Sequence, residues 1–70
     1  MKNDHLESDP LHHSGHMKRL LTEMIDHARE DIKKVSEPKF QLLLETTAEV
    51  LIGLRTAYEH YETKNEPAMA

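Results

Sequence analysis

The stretch from Phe40 to Tyr61 constrains the fold of this chain more than any other feature of its sequence. Read as an α-helix, it places apolar or small residues at alternating steps of three and four, the spacing of a heptad seam. The 40–61 seam consists of Phe40, Leu43, Thr47, Val50, Leu54, Ala57 and Tyr61. Four neighbours widen the apolar arc: Leu44, Ala48, Leu51 and Tyr58. The pattern predicts a helix that buries one broad stripe and needs more than one neighbour.

A second amphipathic helix is predicted upstream of the seam. Its apolar residues recur at helical spacing on one side: Met17, Leu21, Met24, Ile25, Ala28, Ile32 and Val35. Asp9 is a suitable N-cap, and Pro10 suits the first helical position, where its missing N–H has no intrahelical partner to lose. Gly15 weakens the first turns by about 1 kcal/mol relative to alanine.

The clear break in the pattern is Ser36-Glu37-Pro38, since proline disfavours helical backbone at the residue before it. So short a turn between two helices favours an antiparallel hairpin. The predicted segments are a disordered tail at 1–8, a helical hairpin at 9–63 (helix 1 at about 10–35, a turn at 36–38, helix 2 at about 38–62), and a disordered tail at 64–70.

Folding the chain back near Glu37 brings the two apolar patterns level. The predicted neighbours are Ile32 with Leu43, Ala28 with Thr47, Ile25 with Val50, Leu21 with Leu54, and Met17 with Tyr58. Two independently observed patterns then agree, which supports an all-α antiparallel hairpin. In this hairpin the 40–61 seam is expected to be the buried stripe.

Such a hairpin covers only one side of each helix. A core built from 70 residues is marginal without disulfides, metal or self-association, and the chain contains no cysteine. We therefore predict that hairpins associate into a four-helix bundle as a homo-oligomer, most simply a C2 homodimer. The predicted oligomer interface is Phe40, Leu44, Ala48, Leu51, Leu54 and Tyr58.

Composition argues against several classes of function. The net charge is −4, with 13 acidic residues against 9 basic ones scattered in ones and twos, so nucleic acid is not an expected partner. No run approaches the ~20 apolar residues of a membrane span.

The absence of cysteine excludes thiolate chemistry and fits a reducing compartment, so we expect a cytoplasmic protein. Two separated glycines exclude a glycine-rich phosphate loop, and no serine has a general base in evident reach, so enzymatic activity is disfavoured.

Six histidines raise a metal-binding alternative. His12 and His16 are one helical turn apart, and imidazole is a common ligand for transition metal ions. Glu23 and His27 are also one turn apart, and the hairpin brings them roughly level with Glu49, as in the di-metal carboxylate sites of helical bundles. The Glu-x-x-His spacing of those sites is missing here, however. Solvated histidines and ordinary surface pairs account for the same residues.

The sequence thus favours a small non-enzymatic interaction or scaffold protein that acts as a homo-oligomer and needs no cofactor. Its predicted partner is a second copy of itself, with an unidentified protein as a further candidate. The alternative is a helical-bundle protein that binds a transition metal ion through Glu23, His27 and Glu49, or through His12 and His16.

Overall fold

The structure is a computed structural model in which residues 8–64 are described. It contains two α-helices, α1 (Pro10–Lys34) and α2 (Pro38–Lys64), joined by residues 35–37 and packed against each other as an antiparallel hairpin. The predicted all-α hairpin is therefore confirmed. Of the predicted tails 1–8 and 64–70, everything except Ser8 and Lys64 lies outside the described residues.

Side chains define both ends of α1. Asp9 is the N-cap, and its Oδ1 accepts a hydrogen bond from the backbone N–H of Leu11 at 3.0 Å. The helix then runs through Gly15 without interruption. At the other end, Gln41 reaches back from α2 and its Nε2 donates to the carbonyl oxygen of Val35 at 2.6 Å, with a longer contact of 3.5 Å to Ile32. Gln41 thus satisfies carbonyl groups that the end of a helix leaves without intrahelical partners.

The hydrophobic core between the helices is small. Ile25 is 1% exposed and packs with Ala28 and Ala48, while Leu21 is also buried. Three partly buried α2 residues pack against this cluster: Leu44, Leu51 and Ile52. Alanine at positions 28 and 48 leaves little side chain between the two backbones, so the helices can approach closely around Ile25.

The residues of α2 that face α1 are not those of the 40–61 seam. They form a second heptad stripe displaced by one position, the 41–62 stripe, whose members are all buried or half-buried: Gln41, Leu44, Ala48, Leu51, Arg55, Tyr58 and Glu62. A displacement of one residue turns a helix by about 100°. The predicted facing of Ile25 and Val50 is therefore wrong, since Val50 is 57% exposed and Ile25 packs with Ala48.

Polar contacts between the helices fix this rotation of α2. At the open end of the hairpin, Ser14 Oγ donates to Glu62 Oε2 at 2.7 Å, and Lys18 Nζ lies 2.8 Å from Glu62 Oε1. Midway along the hairpin, an Arg55 guanidinium nitrogen donates to Thr22 Oγ1 at 3.0 Å. Rotating α2 to bury the 40–61 seam would break these contacts and the one made by Gln41, and would leave Ser14 buried without its acceptor.

Candidate functional site

The 40–61 seam lies on the surface of the hairpin. Leu43 and Val50 are more than half exposed, and Phe40, Leu54 and Tyr61 are each more than 40% exposed. None of the seven seam positions carries a charged side chain. An uncharged heptad stripe along about six turns of an exposed helix is the main surface feature of the described part of the chain.

Helix α1 extends the same apolar face. Met17, Leu20 and Met24 are exposed, and the helical rotation from Ile25 places them on the side where α2 presents its seam. A groove at the open end of the hairpin joins the two helices on this side, and its lining is mainly apolar, including Met17, Tyr58 and Tyr61. The apolar face is therefore two helices wide.

The opposite face of the hairpin is polar. Its groove is lined by Lys18, Arg19, Thr22, Arg55, Thr56 and Glu59. Leu42 also lies away from the 40–61 seam, being displaced by one residue and thus about 100° from Leu43. The hairpin consequently has one mainly apolar face and one mainly polar face.

The predicted interface residues divide between the interior and the surface. Phe40 and Leu54 lie on the exposed seam. Ala48 is only 5% exposed and belongs to the hairpin's own core. Leu44, Leu51 and Tyr58 are half-buried in the 41–62 stripe. The prediction placed the seam against α1 and assigned the flanking residues, together with Phe40 and Leu54, to the partner. In the structure it is the flanking residues Leu44, Ala48, Leu51 and Tyr58 that face α1.

Three large exposed seam residues lie outside the predicted interface set: Leu43, Val50 and Tyr61. The signal that identifies them was present in the sequence, because all three belong to the heptad seam. What the sequence did not reveal is which of two adjacent heptad stripes α1 would cover.

The structure does not bring the first predicted metal set together within one chain. Glu23 and His27 line a shallow groove with Asp26 and Glu30, all on α1, whereas Glu49 lies on α2 and is absent from it. Among residues 8–64, no group of three or more His, Asp or Glu side chains is placed to hold a metal ion. Glu23, His27 and Glu49 would therefore need ligands from another chain.

His12 and His16 are both exposed on the first turns of α1 and line one groove with Leu11, Gly15 and Arg19. The helix is continuous through Gly15, so the two imidazoles lie one turn apart on one face, the spacing of the paired histidines in helical zinc motifs. The His12 ring also contacts the ring of His13 edge-on, with centroids 5.3 Å apart. Two imidazoles alone do not complete a metal site, and no third His, Asp or Glu among residues 8–64 is placed to join them.

Glu62 is the one described group whose pKa is clearly shifted. The hydrogen bond from Lys18, followed by the one from Ser14, holds the pKa of this carboxyl below its ordinary value of 4.5. The charged form is thus favoured in the folded hairpin. This cluster closes the open end of the hairpin beside the apolar groove.

Comparison with known proteins adds no functional assignment, since no family model, curated protein or solved structure matches the chain. Neither described helix has the length and apolarity needed to cross a bilayer.

Proposed function

We propose that this protein is a small, non-enzymatic interaction or scaffold module that acts as a homo-oligomer, with the apolar face of the hairpin as its working surface. A second copy placed face to face would complete a four-helix bundle. A cytoplasmic location is part of the proposal, supported by the absence of cysteine and testable by cell fractionation.

The observation that carries the proposal is the exposure of the 40–61 seam at every position except the half-buried Thr47, while the hairpin interior contains few apolar groups. Within residues 8–64 only Leu21, Ile25, Ala28 and Ala48 are buried apolar residues. So small a core does not normally stabilise a chain of this size. A partner needed for folding must be present whenever the chain is made, and a second copy meets that condition.

The test uses two adjacent leucines as a matched pair. Leu43 and Leu42 are 56% and 63% exposed, but Leu43 is in the seam and Leu42 is not. We expect sedimentation velocity to show a dimer or higher oligomer for the wild type, a shift towards monomer for Leu43→Asp, and no shift for Leu42→Asp. A charged carboxylate is strongly disfavoured in an apolar interface without a partner.

A wild-type chain that is folded and monomeric at high micromolar concentration would overturn the self-association proposal. The apolar face would then be assigned to a different protein, and affinity capture with wild type and Leu43→Asp side by side would test that assignment. Equal oligomerisation of both aspartate variants would show that the copies associate through another surface.

The metal-binding alternative is favoured by one observation, the continuous helix under His12 and His16. If the pair holds a divalent transition metal ion in the native state, added Zn²⁺, Ni²⁺ or Cu²⁺ raises the melting temperature, and the rise increases with the logarithm of the ion concentration relative to its Kd. His12→Ala and His16→Ala should each abolish that rise, whereas His60→Ala, a change to an exposed histidine on α2, should leave it intact. No thermal shift with any of the three ions would remove this alternative.

A further inference from the structure

The 40–61 seam is nearly symmetric about its middle residue, Val50. Its positions lie at nearly equal distances on either side: Leu43 and Ala57 are each seven residues from Val50, Thr47 and Leu54 are three and four residues away, and Phe40 and Tyr61 are ten and eleven residues away. We infer that the second copy packs its own α2 antiparallel against this α2, with a two-fold axis passing near Val50. This inference rests on the proposed self-association and specifies its geometry.

Side-chain size favours the antiparallel arrangement. Around an axis at Val50, Leu43 meets the small Ala57 of the second copy, and Leu54 meets the smaller Thr47. At both ends Phe40 meets Tyr61, and since a parallel dimer would also bring two aromatic side chains together there, the ends do not distinguish the two orientations. A parallel arrangement in register would instead pair each residue with itself, so that Ala57 faces Ala57 and leaves a gap while Leu43 faces Leu43. Interfaces, like cores, lose stability when large residues meet and small ones leave voids.

A two-fold interface requires a self-complementary surface: if residue i of one copy contacts residue j of the other, then residue j of the first also contacts residue i of the second. It also selects a second copy over an unrelated partner. The antiparallel arrangement sets the two helix dipoles in opposite directions, and no seam residue introduces a charge between them.

The available area is sufficient for a stable dimer. A face two helices wide is about 20 Å across, and the seam is about 32 Å long at the rise of an α-helix. The contact covers about 600 Å² on each copy, or about 1,200 Å² in total, which is the lower end of the range for specific protein interfaces. This area already includes the α1 half of the face, where Met17, Leu20 and Met24 are exposed.

Disulfide trapping tests the orientation, because the chain has no cysteine of its own. A disulfide requires the two Cα atoms to lie within about 7 Å. In the antiparallel dimer, the double variant Leu43→Cys/Ala57→Cys forms a covalent dimer under mild oxidation, and peptide mapping finds residue 43 of one copy joined to residue 57 of the other. Each single variant fails to link, since like positions then lie about 21 Å apart along the helix. Val50→Cys links to itself, and Leu42→Cys serves as the control for random collision.

A distance measurement checks the same geometry without altering the seam. Nitroxide labels on Thr63→Cys, an exposed position, would lie about 38 Å apart along the bundle in the antiparallel dimer, and side by side in a parallel one. Circular dichroism is the folding control, and only variants that remain helical are compared for cross-linking and label distance.

The outcomes separate the orientation from the self-association on which it rests. Trapping of Leu43→Cys or Ala57→Cys alone, or a short distance between the labels, overturns the antiparallel orientation while leaving the dimer intact. A dimer in solution that traps at none of the seam positions overturns the seam as the contact surface. A monomer at all concentrations defeats the proposed function itself, and this inference with it.

Discussion

Helix α2 presents two heptad stripes that differ by one position in sequence and by their environment in the fold. The 41–62 stripe faces α1 and includes three polar residues, Gln41, Arg55 and Glu62, each bonded to α1. The 40–61 seam faces outward and contains no charged residue. The more polar stripe is thus the one inside the hairpin, contrary to the usual expectation that the most apolar side of a helix is covered first.

The two stripes therefore contribute to the fold in different ways. Polar residues that pair at defined positions select one rotation and one register between α1 and α2, since any other would leave them unpaired. The seam carries no charged group, and its contribution depends mainly on the apolar area that a partner would remove from water. The 41–62 stripe therefore fixes how α1 and α2 pack. The 40–61 seam would add to the stability of the hairpin only if a partner covers it.

The largest effect is expected in the core under the 41–62 stripe. Ile25→Ala removes the most deeply buried side chain and should lower the free energy of unfolding by about 2–5 kcal/mol. Urea denaturation followed by circular dichroism measures it. Ile52→Ala, at a half-buried position packed against the same cluster, should cost less. If the two substitutions have equal effects, the core is not centred on Ile25.

The seam is tested by a substitution whose effect depends on the partner. Leu54 is about half exposed in the hairpin, so in a monomer Leu54→Ala should change stability by less than about 0.5 kcal/mol. If a second copy covers it, the loss becomes about 1–3 kcal/mol. Thermal melts at several protein concentrations distinguish the cases, because the melting temperature of a dimer rises with concentration. Leu42→Ala is the control and should behave like the wild type.

The sequence predicted the fold better than the surface. Asp9 and Pro10 marked the start of α1, and Pro38 marked the start of α2, because capping and proline geometry are local properties. The 3.6-residue periodicity identified both helices. It could not decide between two stripes displaced by one residue, because Leu44, Ala48 and Leu51 are as apolar as the seam they flank.

That choice depended on interhelical contacts that a single sequence does not display. Gln41, Arg55 and Glu62 look like ordinary surface residues in the sequence, and only the packed hairpin shows their partners on α1. The same limit applies to the metal hypothesis: the sequence predicts Glu49 to lie roughly level with Glu23 and His27, but in the structure Glu49 is not in the groove that the other two share.

A smaller effect is expected where the 41–62 stripe caps α1. Gln41→Glu keeps the size of the side chain but removes the Nε2 donor that bonds the Val35 carbonyl, and it brings a negative charge towards the carbonyl end of α1. We expect a loss of about 1 kcal/mol in urea denaturation. Thr63→Ala is the control, since the Thr63 hydroxyl donates only to Glu59 within its own helix. If Gln41→Glu leaves the free energy of unfolding unchanged, water replaces the hydrogen bond from Gln41 to the Val35 carbonyl without loss of stability.

The smallest effect lies at the open end and appears as a pH dependence. The pKa of Glu62 is lowered in the folded hairpin by Lys18 and then Ser14, so folding is favoured when the carboxyl is ionised. This contribution is fully present above the unfolded value near 4.5 and is lost as the pH falls through the lower folded value. Glu62 and Lys18 are each about a quarter exposed, so salt should weaken the effect.

Glu62→Gln isolates that contribution from the other carboxylates. Urea denaturation of wild type and variant between pH 7 and pH 3 should show the two stability curves converging as the pH falls, because protonation removes from the wild type what the substitution has already removed. Glu45→Gln, at an exposed position, serves as the matched control and should keep the wild-type slope. Parallel curves for wild type and Glu62→Gln would mean that the bonds to Ser14 and Lys18 do not stabilise the hairpin. The rotation of α2 would then depend on Gln41, Arg55 and the alanines around Ile25.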